Sequence, residues 1–322
     1  MDAIAGLLDG PRAREAFLLR SSLDPPWSLL VRDEAPLTVL AMVRGEAWID
    51  DELVLHGGDV AIFRGPDPYT VSDSPGRPPQ VAIEPGQVCR SLDAAGAVLT
   101  ESVKLGVRSW GNAADGETVM LTGSYVLDGE VSGRVLRALP PVLPLRAGEW
   151  DCPVIPLLAD EIVKDEPGQE AVLDRLLDLL VIAVLRAWFG RSGGWYRAYG
   201  DPVVGHALRL LHQNPAHPWT VASLARECGA SRAALARRFN ELVGEPPMSF
   251  LTGWRLALAA DLLLEPGATI ASVADQVGYS GPFSLSAAFK RVRGLSPQQH
   301  RERHAHGTGA PRVAQSRATS PA

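Results

Sequence analysis

Histidine is almost absent from the first 200 residues of this 322-residue chain, where only His56 occurs out of seven in the whole sequence. A divalent metal held by protein needs three or more imidazole, thiolate or carboxylate ligands. A single histidine beside Gly57-Gly58, in a turn, excludes a histidine-rich catalytic metal site there. No metal and no other cofactor is expected. The usual nucleophile and phosphate motifs are missing as well: there is no Gly-x-Ser-x-Gly elbow and no Walker-type loop, and one histidine cannot be matched to a triad. Enzymatic chemistry is therefore not expected, and a binding module remains.

Cysteine is equally scarce. Cys89, Cys152 and Cys228 are odd in number and lack CxxC spacing, which argues against a disulfide framework or a cysteine zinc site and fits a reducing compartment. Long apolar runs are lacking: the most apolar stretch, residues 179–185, falls far short of the ~20 residues that span a bilayer. Met1-Asp2-Ala3-Ile4 carries no basic leader. A cytoplasmic protein with no membrane partner is the expectation.

What is present is ordinary soluble composition, 46% hydrophobic and 21% charged, in a chain long enough for two cores. The net charge of −6 hides an asymmetry. Residues 201–303 carry 11 Lys and Arg against 8 Asp and Glu, so the acidic excess lies wholly in the first 200 residues. The basic excess is small, and electrostatics alone does not establish a nucleic-acid partner.

The chain changes period near its middle. Residues 1–20 hold apolar residues at mixed helical spacing and read as a short helix. From Trp27 to about Leu121 come short apolar or alternating runs at 37–43, 47–49, 53–55, 60–63, 69–71 and 81–83, with a further run at 119–125. Arg44-Gly45, Asp50-Asp51, Gly57-Gly58-Asp59, Gly65-Pro66-Asp67-Pro68 and Ser74-Pro75-Gly76 separate them, a pattern of β-sandwich or barrel strands. Helical spacing follows at 132–139, 154–163 and 170–189. The last has an apolar face too wide for one-sided packing, which leaves two readings: it forms a homodimer contact, or it packs wholly on its own domain. Gly190 to Gly194 reads as the start of a linker, 191–202, and a helix from Val203 to His212 opens the next domain.

That domain says nearly the same thing twice. Thr220-Val221, Leu224-Ala225 and Cys228-Gly229 return 49 residues later as Thr269-Ile270, Val273-Ala274 and Val277-Gly278, and Leu235, Phe239, Gly244 and Pro247 return 50 residues later as Leu285, Phe289, Gly294 and Pro297. Each copy reads as a capped helix, a glycine turn and a second helix whose inner face is Leu235, Phe239 and Leu242, or Leu285, Phe289 and Val292. Two helix-turn-helix units result. Pro247 to Leu264 joins them as one long helix, ended by Glu265-Pro266-Gly267. Cys228 falls on an inner face, where burial is its expected role. The tail, 304–322, is small, polar and aperiodic, and is expected to be disordered.

Several spaced motifs now agree together: Trp219-Thr-Val-Ala-Ser-Leu-Ala, Ser231-Arg-Ala-Ala-Leu-Ala-Arg-Arg-Phe239, Trp254-Arg255-Leu256, Val273-Ala274-x-x-Val277-Gly278-Tyr279, Phe289-Lys290 and Gly294-x-Ser296-Pro297. Over residues 203–301 they closely resemble the AraC/XylS transcription regulators. Gly45-Glu46-Ala47-Trp48, Gly58-Asp59-Val60 and the proline-rich turn before Tyr69 look like the cupin-type sensor domain of one branch of that family. The resemblance implies an α+β protein: a cupin-like β-barrel with flanking helices over 1–190, and an all-α DNA-binding domain over 203–303. It implies a sequence-specific regulator, expected to activate, with promoter DNA, RNA polymerase and a second copy as partners. The competing reading is a cupin-type enzyme or ligand-binding module with an appended DNA-binding domain.

Carried across position by position, the resemblance makes Ala233, Ala236 and Arg237 the base-contacting residues of the first recognition helix. Only Arg237 can bond a guanine edge with two donors, while the alanines can touch a thymine methyl. Arg232 and Arg238 would flank the groove at phosphates. In the second unit the base positions are Phe283, Ser286 and Ala287, with Ser284, Lys290, Arg291 and Arg293 at phosphates. Many relatives carry arginine where Ala287 stands. The first unit is therefore expected to supply most of the specificity and the second mostly affinity. In the sensor domain, Trp48, Phe63, Tyr69 and Trp110 are candidate lining residues for a pocket that takes an unknown small-molecule effector. Oxidant sensing is the other possibility, through Cys89 beside Arg90 in preference to Cys152 beside Asp151.

Overall fold

The computed structural model describes residues 17–93, 96–99, 102–106, 108–125, 129–137, 139–150, 153–191 and 195–307. Its first half is strands: β1 (Phe17–Leu23), β2 (Ser28–Val31), β3 (Leu37–Arg44), β4 (Glu46–Ile49), β5 (Leu53–His56), β6 (Val60–Arg64), β7 (Tyr69–Ser72), β8 (Val81–Glu84), β9 (Val88–Ser91), β10 (Lys104–Gly106), β11 (Ser109–Gly111), β12 (Thr118–Tyr125) and β13 (Val142–Leu145). They form a seven-stranded sheet, β10-β11-β1-β12-β3-β6-β13, and a six-stranded sheet, β5-β4-β7-β2-β8-β9. Neighbours are antiparallel except β1 with β11 and β2 with β8.

All seven strand-like runs in the sequence appear as strands. Of the helix expected over residues 1–20, residues 1–16 lie outside the described residues, and the rest is strand: Phe17–Leu23 is β1, paired along its whole length with β12. Tertiary pairing overrides the local pattern there, because Leu18, Ser21, Ser22 and Leu23 are all buried and no amphipathic alternation survives. β13 also escapes sequence reading. It carries Pro144 and takes a sheet edge, where a missing N–H is tolerated.

β3 shows how the core is divided. Its side chains alternate, so Leu40 and Met42 join Trp27, Leu29, Ile49 and Phe63 between the sheets, whereas Leu37, Val39 and Ala41 face a helical layer. That layer follows α1 (Glu130–Leu136) and consists of α2 (Val154–Ile162) and α3 (Gln169–Arg191). Leu173, Leu177, Leu180, Val181, Val184 and Leu185 of α3 are buried against the sheet. The wide apolar face is thus explained by packing within its own domain, leaving Val172 and Leu179 exposed.

The remaining helices are α4 (Trp195–Gly200), α5 (Val204–Gln213), α6 (Val221–Glu227), α7 (Arg232–Val243), α8 (Pro247–Leu262), α9 (Ile270–Val277), α10 (Pro282–Arg293) and α11 (Pro297–Gly307). The chain divides into two compact units, residues 1–214 with 219–251, and residues 215–218 with 252–322. Part of the expected linker is therefore ordered: Ala198 of α4 is buried in the core that holds Leu224, Leu235 and Phe239. Of the expected disordered tail, residues 304–307 continue α11, and 308–322 lie outside the described residues. Among the described residues no helix is long and apolar enough to cross a membrane.

Contact between α3 and the sheet depends on one missing side chain. A methyl group built on Gly123 of β12 would lie 2.6 Å from Leu177 Cδ1. Gly123→Val should therefore overpack this layer and lower the stability to chemical denaturation by about 1–3 kcal/mol, with Gly123→Ala falling between. Unchanged denaturation midpoints would remove Gly123 from the account of helix docking.

Candidate nucleic-acid interface

Both helix-turn-helix units begin with the same reciprocal cap. The Ser223 N–H donates to Thr220 Oγ1 at 3.0 Å and the Thr220 N–H donates to Ser223 Oγ at 2.9 Å, while Thr269 and Ser272 repeat the pair at 3.0 and 3.3 Å. Such a cap fixes where the helix starts. At the other end, Gly278 has φ of +80°, and a Cβ there would meet the backbone of Ala216 at 2.5 Å, so the turn requires glycine.

The second helix of each unit is set by its phenylalanine. Phe239 meets Phe250 edge-on at 5.7 Å between ring centroids, and Phe289 meets His300 edge-on at 5.5 Å. Phe250 and His300 are themselves 50 residues apart, so the repeat extends into the ring that closes each core. With Leu235 and Phe239 inward on α7, Arg232, Ala233 and Arg237 are exposed and Ala236 is half-buried. The Arg237 side chain is 75% exposed and makes only a loose contact, 3.7 Å, to Glu241.

Arg238, expected to contact a phosphate, holds an ion pair. Its guanidinium reaches Asp201 Oδ2 at 2.6 Å, and the Asp201 side chain is only 7% exposed. Asp201 Oδ1 also accepts the N–H groups of Val203 and Val204 at 3.0 and 2.9 Å, capping α5. Burial alone would raise this carboxyl, but those two N–H groups and Arg238 together hold it below its ordinary range. Asp201 was missed in the sequence, where it fell at the end of the expected linker, 191–202.

On α10, Phe283 is 90% exposed, Ala287 is exposed, and Ser286 is half-buried. Lys290 and Arg291 are exposed, as phosphate contacts must be. Two other residues of that set are engaged within their own helix. The Ser284 hydroxyl donates to Gly281 O at 2.8 Å, and the Arg293 guanidinium lies over the Phe289 ring, 5.4 Å from its centroid. Val292, expected on the inner face, is 55% exposed, since Ala288 and Phe289 take that side. Two arginines outside the expected set brace the second unit: Arg255 bonds Pro215 O and His217 O at 2.7 and 2.8 Å, and Arg301 bonds Leu263 O at 2.8 Å and also Ala268 O.

In the sensor half, a cavity of about 30 Å³ lies between the two sheets, with Tyr69 and Trp110 in its wall. Phe63 backs it, stacked on Tyr69 at 3.9 Å. Trp48 is not part of it: buried Ala47 and Ile49 face inward on β4, so Trp48 between them faces out. Cys89, the expected redox sensor, is buried. The thiol is nearly enclosed and burial raises its pKa, the opposite of what oxidation needs, while the Arg90 guanidinium turns to Gly96 O. Cys152 lies outside the described residues. Cys228 is half-buried at the end of α6. Among the described residues, no three His, Cys, Asp or Glu side chains gather as a metal site.

Comparison with known proteins agrees with these two halves. A Cupin family model matches residues 2–190 and a Helix-turn-helix domain model matches residues 224–303. A putative AraC-like transcription regulator of Streptomyces antibioticus is 34% identical over 86% of this chain and 90% of its own length. The HTH-type transcriptional regulator AlkR of Acinetobacter baylyi is 26% identical over 94% of this chain and 99% of its own. The RCS-specific HTH-type transcriptional activator RclR of Escherichia coli is 29% identical over 48% of this chain and 55% of its own. With a cupin domain in front and a helix-turn-helix DNA-binding domain behind, the chain belongs to the AraC-like transcription regulators.

Proposed function

We propose that this regulator reads its promoter sites chiefly through α7, and that an effector in the barrel controls it. One observation carries the reading. Of the three positions expected to face bases on α7, Ala233, Ala236 and Arg237, only Arg237 is a long donor, on a helix whose opposite face is fully closed by Leu235 and Phe239. A guanidinium so placed can bond guanine O6 and N7 together, and the alanines leave it room to approach. α10 offers no comparable base reader; Lys290 and Arg291 supply charge, and Phe283 an apolar tip.

Activation through RNA polymerase is the sign proposed, in line with the activator named among the relatives. Pairing of two copies is proposed through the exposed Val172 and Leu179, which lie seven residues apart on one stripe of α3. Sedimentation of Leu179→Arg checks this: the wild type should run as a dimer and the variant as a monomer, and identical behaviour would discard that stripe.

Gel shifts against the protein's own promoter test the base reader. Arg237→Ala should weaken the cognate site by about 1–3 kcal/mol and relax the choice of base at one position, whereas Lys290→Ala should weaken all sequences alike and reduce the salt slope by about one. Unaltered binding by Arg237→Ala, or base-specific protection confined to the second half-site, would sink the division of labour. Because Asp201 already neutralises Arg238, Arg238→Ala should change the salt slope less than Arg232→Ala does. Asp201→Ala should in addition cost about 0.5–2 kcal/mol of stability through the lost cap, and Asp201→Asn less, because asparagine still caps. Equal slopes for the two arginine variants would return Arg238 to the phosphate contacts.

A further inference from the structure

The sensor half carries a second hollow, outside its barrel. A cleft of about 420 Å³ opens between the end of β3, the β5–β6 turn and α2. Small-molecule sites fall in the range of roughly 300–1,000 Å³. The 30 Å³ between the sheets, by contrast, holds on the order of two water molecules.

The fold sets the walls of this cleft. Val154, Leu158 and Ile162 dock α2 on the barrel, each at most 2% exposed, and the adjoining stripe of the helix, Ile155 and Ala159, lines the cleft. The β5–β6 turn is held to the segment after β13 by one buried carboxylate. Asp59 accepts the His56 and Ala147 N–H groups at 3.0 and 2.8 Å and the Arg146 guanidinium at 2.8 Å. Gly58 of that turn lies so near Ala147 that a Cβ on it would come within 2.9 Å of the alanine Cβ. Small residues, Gly58, Ala147 and Ala159, thus leave the hollow open, and the half-buried Trp150 supplies its aromatic surface.

The lining carries one charge. Asp160 is exposed, and among the described residues no lysine, arginine or histidine lines the cleft. Neighbouring cations are engaged elsewhere: Arg146 with Asp59, Arg191 with Glu149 at 2.7 Å, and Lys164, one turn beyond Asp160, with Glu161 at 2.6 Å. A carboxylate with no cation in the same lining favours a positive ligand, and an indole face attracts the same charge. Since Asp160 is exposed, an ammonium group beside it keeps part of its water and avoids the cost of full burial.

We propose that this cleft binds a small organic amine, with its protonated nitrogen at Asp160 and its apolar body against Trp150, Ile155 and Ala159. The site goes beyond the reading of effector control: it lies on the flank of the barrel and stands whether or not the space between the sheets is filled. At about 30 Å³ for each water-sized group, the volume takes a body on the order of ten carbons. Asp160 disfavours anions, and a bare ammonium ion gains nothing from the apolar wall.

Calorimetric titration of the full-length protein with 4-phenylbutylamine tests this, with 4-phenylbutanol and 4-phenylbutyrate as the neutral and anionic counterparts. The amine should saturate, bind about two- to fivefold better than the alcohol and about tenfold better than the acid. Butylamine, which lacks the ring, should bind at least roughly tenfold more weakly. Asp160→Asn, at an exposed position and with unchanged melting, should bring the amine down to the affinity of the alcohol, whose own affinity stays within about twofold. The amine should also change the tryptophan emission of the wild type and leave that of Trp150→Phe unchanged, while the variant still gives saturable heat. No saturable heat, equal binding of the acid or of butylamine, an unchanged ranking in Asp160→Asn, or an emission change that survives Trp150→Phe overturns the proposal. The first of these leaves the cleft to water, and the last puts the amine elsewhere on the protein.

Discussion

The outward face of each second helix depends on one ring contact made twice. A recognition helix has no intrinsic front; its outward residues are whichever ones its buried anchor leaves outside. Phe239 against Phe250 and Phe289 against His300 supply that anchor, each edge-on, the arrangement an aromatic quadrupole favours. Residues advance by 3.6 per turn, so a slip of one position would turn the helix by about 100° and bury Arg237. In the second unit the ring is an imidazole, and His300 Nε2 also reaches Ala260 O at 3.1 Å. That unit is fixed by packing and by a hydrogen bond together.

The two copies share this scaffold and differ in what is attached to it. The position after Arg237 is Arg238 in the first copy, and its counterpart in the second is Ala288, which is buried against the helix core. Where the second copy simply packs, the first sets an ion pair to Asp201, a residue that begins the DNA-binding half and caps α5. The first recognition helix is thereby tied to the segment through which the chain arrives from the sensor. The second is braced instead by Arg255 and Arg301, whose guanidinium groups donate to backbone carbonyls. Duplication preserved the turn chemistry and the ring, and left charge free to diverge.

Helical structure was largely legible in the sequence because its signals are local. Thr220, Thr269, Gly229 and Gly278 punctuate the helices, and the apolar period lies within one stretch of chain. Strand neighbours are not local, and adjacency along a strand misleads. Arg90 follows Cys89, yet successive residues of β9 point to opposite faces, so the arginine lends the thiol nothing. Trp48, expected as a candidate lining residue, is turned out of the pocket by the same alternation. Asp201 and Arg238 are 37 residues apart in sequence, and nothing short of the fold connects them.

Polarity inside the barrel was the least legible feature, for a related reason. A half-buried strand is read by assigning its polar residues to solvent. Ser21, Thr38 and Ser124 break that rule: all three are buried, and Thr38 shares its face of β3 with Leu40 and Met42, which line the space between the sheets. The same assumption hid β1, whose adjacent Ser21 and Ser22 put hydroxyls on both faces. A fold selected for stability alone would replace such groups with alkyl side chains of similar volume, since each hydroxyl must find a partner or lose its hydration. Ser22, Ser28, Ser72 and Thr118 are buried in the same half, and each of these hydroxyls meets a backbone N–H or C=O. Strand alternation cannot reveal such partners, because most of them come from neighbouring strands and loops that are distant in sequence.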